Sequence, residues 1–493
     1  MRLPLPEKAE AFLKRVGPLY LGGTFRKAAT GEVFPVLNPA TGEVLARVAR
    51  GGKEDVDQAV ALARKALEGS WGRTSPDERG RLLFRLSELI EAHADTLAAL
   101  EALNVGKPYA EARTADIPLV AQHFRYFAGW ATKWGGEVLP VSFPGEYLAY
   151  TRREPVGVVG AITPWNFPLL IASWKLAPAL AVGCTVILKP SELTPLTALY
   201  LAELMEEAGF PKGTVSVIPG YGEEAGAALV AHPGVDKISF TGSVEVGKGI
   251  LKQAAETLKR VTLELGGKSP VILLEDADPK RVLKGALFAS FFNQGEVCAA
   301  GSRLFVPKSK LDYFLENLVT GAQAIQQGHP LDPRTQMGPL ISREHMERVL
   351  GYVQRGLEEG ATLLTGGEPN PGAGPGFFVK PTIFLAEDGQ TIAREEIFGP
   401  VLSVLPYEDP EEVARRANAT PYGLAAGIFG QDMRRAIRLA HALKAGTVWI
   451  NGYLLLDAAS PWGGYKESGI GREMGRYALE HYTEVKSVWL NLT

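Results

Sequence analysis

The chain has 493 residues, more than one hydrophobic core usually serves, and 46% apolar residues are enough to fill two or more domains. Its formal charge of -3 comes from 52 basic and 55 acidic residues spread along the sequence. That leaves no electrostatic footprint for nucleic acid or an anionic membrane surface, so small molecules are the expected partners. There are 2 cysteines, Cys184 in an apolar Gly-Cys-Thr-Val-Ile-Leu run and Cys298, which is too few for a disulfide framework. The start, Met1-Arg-Leu-Pro-Leu-Pro-Glu-Lys, lacks the unbroken apolar stretch of a secretory signal, and a cytoplasmic location is expected.

In chain order, Val56, Ala59, Val60, Ala63, Ala66 and Leu67 recur at helical spacing, and Leu82, Leu83, Leu86, Leu89 and Ile90 do so again. A helical first part with short connectors is predicted. The apolar segment 167–188 is interrupted by Lys175, Pro178 and Gly183, so it is not read as a membrane span, and its far end reads as a strand. After Pro155, β-branched runs at 185–188, 215–218 and 237–240 alternate with helical patterns at 196–207, 223–231 and 246–256. This alternation is that of βαβ units building a parallel sheet covered on both faces. A second α/β domain follows Pro270, with strands at 271–274, 302–306 and 447–450 and a helix at 282–292; the Gly/Pro-rich 366–376 stretch is a surface loop.

Chemistry is concentrated in a few short segments. Cys298 follows a glycine-containing turn and lies among small residues, leaving room for a substrate at its sulfur, although a free cysteine is also a common core residue. Glu264 ends an apolar strand and precedes two glycines, as a general base near a ligand or as a solvated strand end. Asn166 stands within Pro-Trp-Asn-Phe-Pro, where a stiffly held amide can serve an oxyanion hole or cap the backbone. Lys189-Pro-Ser-Glu192 follows a strand, where lysine and glutamate can meet a ribose, while Gly242 to Gly247 and Gly220-Tyr-Gly222 are strand-to-helix turns suited to a pyrophosphate or to plain punctuation. Gly-x-Gly-x-x-Gly is absent. The 7 histidines show no pair spacing, so neither a metal site nor a histidine triad is indicated.

Pro-Trp-Asn-Phe-Pro, Lys-Pro-Ser-Glu, Phe-Thr-Gly-Ser, Glu-Leu-Gly-Gly-Lys, Gly-Glu-Val-Cys, Glu-Glu-Ile-Phe-Gly-Pro and Gly-Gly-Tyr-Lys-Glu-Ser-Gly occur in this order between Tyr20 and Val488. In that combination the chain resembles the aldehyde dehydrogenase superfamily. The resemblance implies an α/β fold with a Rossmann-like NAD-binding domain (1–136 and 155–266), an α/β catalytic domain (267–470) and a small β oligomerisation element (137–154 and 480–493). It implies oxidation of an aldehyde to the acid through a thioester on Cys298, with Glu264 as base, Asn166 and the Cys298 N–H as oxyanion hole, and Lys175 near the proton route. For the cofactor it implies Ile162, Thr163, Pro164, Trp165, Lys189, Ser191, Glu192, Gly222, Gly226, Phe240, Thr241, Gly242, Ser243, Val246, Leu265, Glu396 and Phe398. Glu192 would repel a 2′-phosphate, so NAD is preferred to NADP, which relatives with this residue sometimes accept. A homodimer or homotetramer is implied, with no catalytic metal.

By position in such a chain, Phe167, Ile171, Trp174, Phe292, Leu456 and Trp462 are expected to line the substrate tunnel. Such walls suit aromatic or aliphatic aldehydes and, through cation–π contacts, quaternary ammonium ones; Asp457 either favours a cation or is a solvated loop residue. A CoA-acylating dehydrogenase and a cofactor-independent thiol esterase are the alternative activities.

Overall fold

The computed structural model describes residues 3–493; the reading of Met1 and Arg2 lies outside the described residues. Two sheets organise it. The first has eight strands, and at its centre Arg260–Glu264, Lys237–Thr241, Val158–Ile162, Thr185–Lys189 and Val215–Val217 run parallel in that spatial order. These central strands are buried almost throughout, as parallel strands covered by helices on both faces must be. From Val158–Ile162 the chain first builds outward through 185 and 215, then crosses back to Lys237–Thr241 on the other side. A crevice therefore opens at the carboxyl ends of Val158–Ile162 and Lys237–Thr241, where neighbouring connections leave in opposite directions.

The second sheet has seven strands, with Val401–Tyr407, Arg303–Pro307, Pro270–Leu273, Ala425–Phe429 and Thr447–Ile450 parallel and adjacent in that order. The chain passes from one sheet to the other over Leu265–Ser269, and Gly469–Ile470 returns to pair with Leu263 and Glu264. Both sheets thus end at the same seam. A third, three-stranded sheet of Val138–Leu139, Tyr147–Pro155 and Thr483–Asn491 stands apart.

The predicted helices are present as Lys53–Glu68 and Pro76–Ala92, the latter N-capped by Ser75, whose side chain accepts the Glu78 N–H. The expectation of a purely helical first part is corrected. Leu19–Tyr20 and Phe25–Arg26 extend the first sheet, with Tyr20 paired to Val217, and Val33–Leu37 pairs with Val44–Ala49 as a hairpin. Two-residue strands carry no periodicity; they exist because a distant edge needs partners. The expected 223–231 helix opens with a π-turn, Gly222–Gly226, before becoming α-helical over Ala227–Ala231. The 167–188 segment is the buried helix Pro168–Val182 followed by Thr185–Lys189, and no helix among the described residues is long and apolar enough to cross a membrane.

Candidate active site

The crevice of the first sheet is a groove of about 700 Å³. Ile162, Thr163, Pro164 and Trp165 enter it from one strand end, Phe240, Thr241, Gly242 and Ser243 from the other, and Lys189, Ser191 and Glu192 from the third. Gly222, Gly226 and Val246 complete the predicted set within it. A Cβ at Gly222 or Gly226 would meet nothing within 4 Å, so the glycines leave open space at the wall. Ser243 caps the helix Val244–Ala254, its Oγ accepting the Val246 N–H, and directs that helix's N-terminal end into the groove. Lys189 Nζ lies 3.0 Å from Glu192 Oε2, so the pair presents both a cation and a carboxylate, the donor set a ribose diol requires. Open glycines, a helix N-terminus and a lysine–glutamate pair fit a dinucleotide.

Leu265, Glu396 and Phe398 fall outside this groove, at the seam between the sheets. Leu265 covers Gly247, where a Cβ would lie 2.7 Å from its Cδ2. Glu396 accepts the Gly267 N–H at 2.9 Å, and a Cβ on Gly266 would come within 2.1 Å of its Oε2. Phe398 meets Trp165 edge-on, with centroids 5.2 Å apart. A Cβ on Gly267 would sit 2.5 Å from the Cys298 carbonyl oxygen. The two glycines after Glu264 thus let the Cys298 and Glu396 loops close onto one turn.

Cys298 lines a second cavity, of about 340 Å³, together with all six predicted tunnel residues, Phe167, Ile171, Trp174, Phe292, Leu456 and Trp462. Burial, followed by the Glu396 and Glu264 charges, pushes its thiol up to about 12. Glu264 is 3% exposed, and neither carboxylate oxygen has a hydrogen-bond partner. Burial and then the Glu473 charge raise it well above the ordinary carboxylate range, with Lys175 and Arg472 opposing. Lys175 binds Glu473 at 2.5 Å and Ser239 at 3.2 Å, so it stands next to Glu264 through Glu473. Asn166 Nδ2 donates to the Glu296 carbonyl at 2.9 Å. That bond uses one of the amide's two N–H groups and fixes the direction of the other.

Of the predicted catalytic side chains Cys298 alone lines this cavity; an unactivated thiol there, with a buried unpartnered carboxyl whose charge bears on it and a stiff amide held by the Glu296 carbonyl, next to a dinucleotide-shaped groove, suits covalent oxidation of a carbonyl. The aldehyde dehydrogenase family model matches residues 25–488. The chain belongs to the aldehyde dehydrogenase family. The mitochondrial aldehyde dehydrogenase of Homo sapiens is 50% identical over 491 residues, covering 99% of this chain and 94% of that protein. A solved NAD+ complex of aldehyde dehydrogenase from Bacillus cereus has a TM-score of 0.98 at 51% identity, covering 100% of both chains. Betaine aldehyde dehydrogenase from Staphylococcus aureus in complex with NAD+ has a TM-score of 0.96 at 42% identity, covering 98% of this chain and 97% of that one. This aldehyde dehydrogenase is an NAD-dependent oxidoreductase of aldehydes and needs no catalytic metal.

Sequence reasoning missed several residues of this aldehyde dehydrogenase's site. Gly249, Ile250 and Gln253 line the groove beside Val246 and share its helical face at i+3, i+4 and i+7, a signal that was available once Val246 was chosen. Glu111, Thr114 and Asp116 line the Cys298 cavity from Tyr109–Glu111 and the π-turn Ala112–Asp116, and nothing in their spacing marks them. Glu473 and Ser239 were missed because they meet Lys175 only in the fold.

Proposed function

We propose that the enzyme oxidises uncharged, apolar or aromatic aldehydes through covalent attack by Cys298. What carries this reading is the shared cavity: the thiol opens onto aromatic and aliphatic walls that offer no free charge. Of the two carboxyls on those walls, Asp116 is tied to Lys107 at 2.6 Å, and burial pushes Glu111 up to about 8, neutral at pH 7. Lys107 Nζ lies 3.9 Å from the Phe167 ring centroid, so a cation already occupies one face of that wall. Asp457 accepts the Ala459 N–H at 2.8 Å and a Gln122 N–H at 3.3 Å, supporting its reading as a loop residue.

In this mechanism Glu264 takes the thiol proton as sulfur bonds to the aldehyde carbon, giving a thiohemiacetal. Asn166 and the Cys298 N–H hold its oxyanion, an effect worth about 3 kcal/mol per donor in comparable sites. Collapse to the thioester expels a hydride, and bound NAD supplies the acceptor. Glu264 then deprotonates a water that attacks the thioester, releasing the acid and the thiol, with Glu473 and Lys175 behind it as the proton's way out. Transfer to CoA would leave Glu264 without this second role, and a cofactor-independent esterase would leave the groove idle.

Lys189 and Glu192 would hold the adenine-side ribose, Ser243 the pyrophosphate, and Glu396 the other ribose with Phe398 beside it. Glu192 disfavours the 2′-phosphate of NADP. We assign 1–136 and 155–266 to the cofactor domain, 267–470 to the catalytic domain, and 137–154 with 480–493 to contacts between protomers of a homodimer or homotetramer. A reducing cytoplasm suits a chain whose two cysteines are both free thiols.

The test is NADH formation with NAD or NADP and hexanal, benzaldehyde, a dicarboxylic semialdehyde or betaine aldehyde. Hexanal and benzaldehyde with NAD should exceed the charged aldehydes in kcat/KM by about 100-fold or more, the scale on which an unpaired charge is rejected from an apolar site. Cys298→Ala should abolish turnover. Preference for betaine aldehyde or the semialdehyde would overturn the substrate class, and an active Cys298→Ala would overturn the mechanism.

A further inference from the structure

Behind the nucleophile lies a polar assembly that the chemistry above does not use. Asn293, Gln294 and Gly295 carry consecutive φ angles of 48°, 57° and 72°. Two of these are not glycine, so the turn is a conformation that persists because its surroundings enforce it. Asn293 Nδ2 donates to the Asn166 carbonyl at 3.2 Å and the Glu296 carbonyl at 3.1 Å, and its N–H donates to Glu111 Oε2 at 3.1 Å. A Cβ on Gly295 would lie 2.4 Å from the Gly399 carbonyl oxygen, so the turn leans directly on the loop that carries Glu396 and Phe398.

Glu296 joins the two. Its side chain is wholly buried, with Oε1 accepting the Ile341 N–H at 2.9 Å and Oε2 accepting the Gln294 side-chain amide at 3.3 Å. His345 Nε2 stands 3.8 Å from Glu296 Oε1 and 2.6 Å from the Phe398 carbonyl oxygen. The His345 ring also meets Trp165 edge-on at 5.3 Å, and Phe398 itself has a φ of 62°. Through its main chain Glu296 holds Asn166; through its side chain it holds Ile341, two residues before the helix that carries His345.

The charged groups that bear on Glu296 are few. His345, on the helix Arg343–Glu358, is pushed down to about 4 by burial and is neutral at pH 7. Lys107 opposes only weakly the burial that raises Glu296 well above the usual carboxylate range. The group therefore lies in a dry place with both oxygens accepting N–H groups, and what it contributes there is shape and hydrogen bonds.

We propose that Glu296 is a positioning residue, whose carboxyl ties the strained turn presenting Cys298 and Asn166 to the Ile341 N–H just before the helix whose His345 meets the Phe398 carbonyl, so that oxyanion donors and cofactor-side loop keep one register. The proposal rests on the reading of Cys298 and Asn166 given above. In the full-length enzyme, kcat, aldehyde KM and melting temperature are measured for Glu296→Gln, Glu296→Leu, His345→Leu and the double leucine variant. Glutamine keeps the shape and one of the two accepting oxygens, enough to hold the Ile341 N–H, so kcat should stay within about threefold of wild type. Glu296→Leu should lower kcat by about 10- to 100-fold, the usual cost of a small misplacement, while aldehyde KM holds within about twofold because the cavity walls are untouched. The double variant should be no slower than Glu296→Leu alone, because both single changes cut one connection. Should the leucine protein not fold, Glu296→Gln and His345→Leu decide: kcat is retained in the first and lowered at unchanged KM in the second. Wild-type kcat in Glu296→Leu, equal impairment by glutamine and leucine, or losses that multiply in the double variant would each overturn the proposal. An active Cys298→Ala would instead remove the reading beneath it.

Discussion

Glu264 and Cys298 both sit where burial makes charge costly, and each holds its proton more tightly than the free side chain does. For a carboxyl whose value is raised, the base form is absent at low pH and appears only as pH climbs through that raised value. Thioester hydrolysis should therefore accelerate with pH well above the ordinary glutamate range. Glu264→Gln should remove this rising limb and slow both the NADH burst and the steady rate after it by about 100-fold or more, because thiol deprotonation and thioester hydrolysis lose the same base. Stopped-flow absorbance measures the burst; steady turnover at the wild-type rate would exclude Glu264 as the hydrolytic base. The residues proposed for this chemistry stand in contiguous motifs, which is what singled out Asn166, Glu264 and Cys298 in the sequence. Lys175 was legible but its partner was not, since Glu473 lies 298 residues away and meets it only in the fold. Glu296 stood inside a motif already singled out, yet its side-chain partners, Ile341 and His345, come from a distant loop and helix.

Among elements, the long periodic ones were legible because their apolar residues must share one face: Lys53–Glu68 contains the helical spacing read from Val56 to Leu67, and Thr447–Ile450 was expected with the same bounds. The hairpin strand Val33–Leu37 buries Phe34 and Val36 in strict alternation, but Pro35 between them hides a strand from a reading by propensity. What no periodicity reveals is how loops close on each other, and here glycine carries the information. Gly266 and Gly267 allow the strand end at Glu264, the Cys298 turn and the Glu396 loop to meet. Gly267→Ala should push the Cys298 carbonyl from its place, since its Cβ would start 2.5 Å from that oxygen. We expect kcat/KM to fall by about 100-fold while circular dichroism stays native, because the clash is local to the seam. A normal rate in Gly267→Ala would mean that the nucleophile turn tolerates displacement.

At the scale of the molecule, the three-stranded sheet is the part whose surface is least self-sufficient. Val138, Val485, Trp489 and Leu492 on it or beside it are more than half exposed, and Phe143 stacks on Trp489 at 5.9 Å without covering it. Thr483–Asn491 is nine residues long and pairs on one side only, with Tyr147–Pro155, so its other edge offers a row of backbone donors and acceptors. An apolar patch beside a long open strand edge is a template for another chain, and a second copy of the same surface satisfies both needs at once. Placing charge there, as in Val485→Lys with Trp489→Lys, should shift the mass measured by light scattering at micromolar concentration from a dimer or tetramer to a smaller species. NAD binding should survive in the smaller species, because neither position lines the groove. A wild-type enzyme that is monomeric under these conditions, or a lysine variant of unchanged mass, would mean that this sheet does not join the protomers.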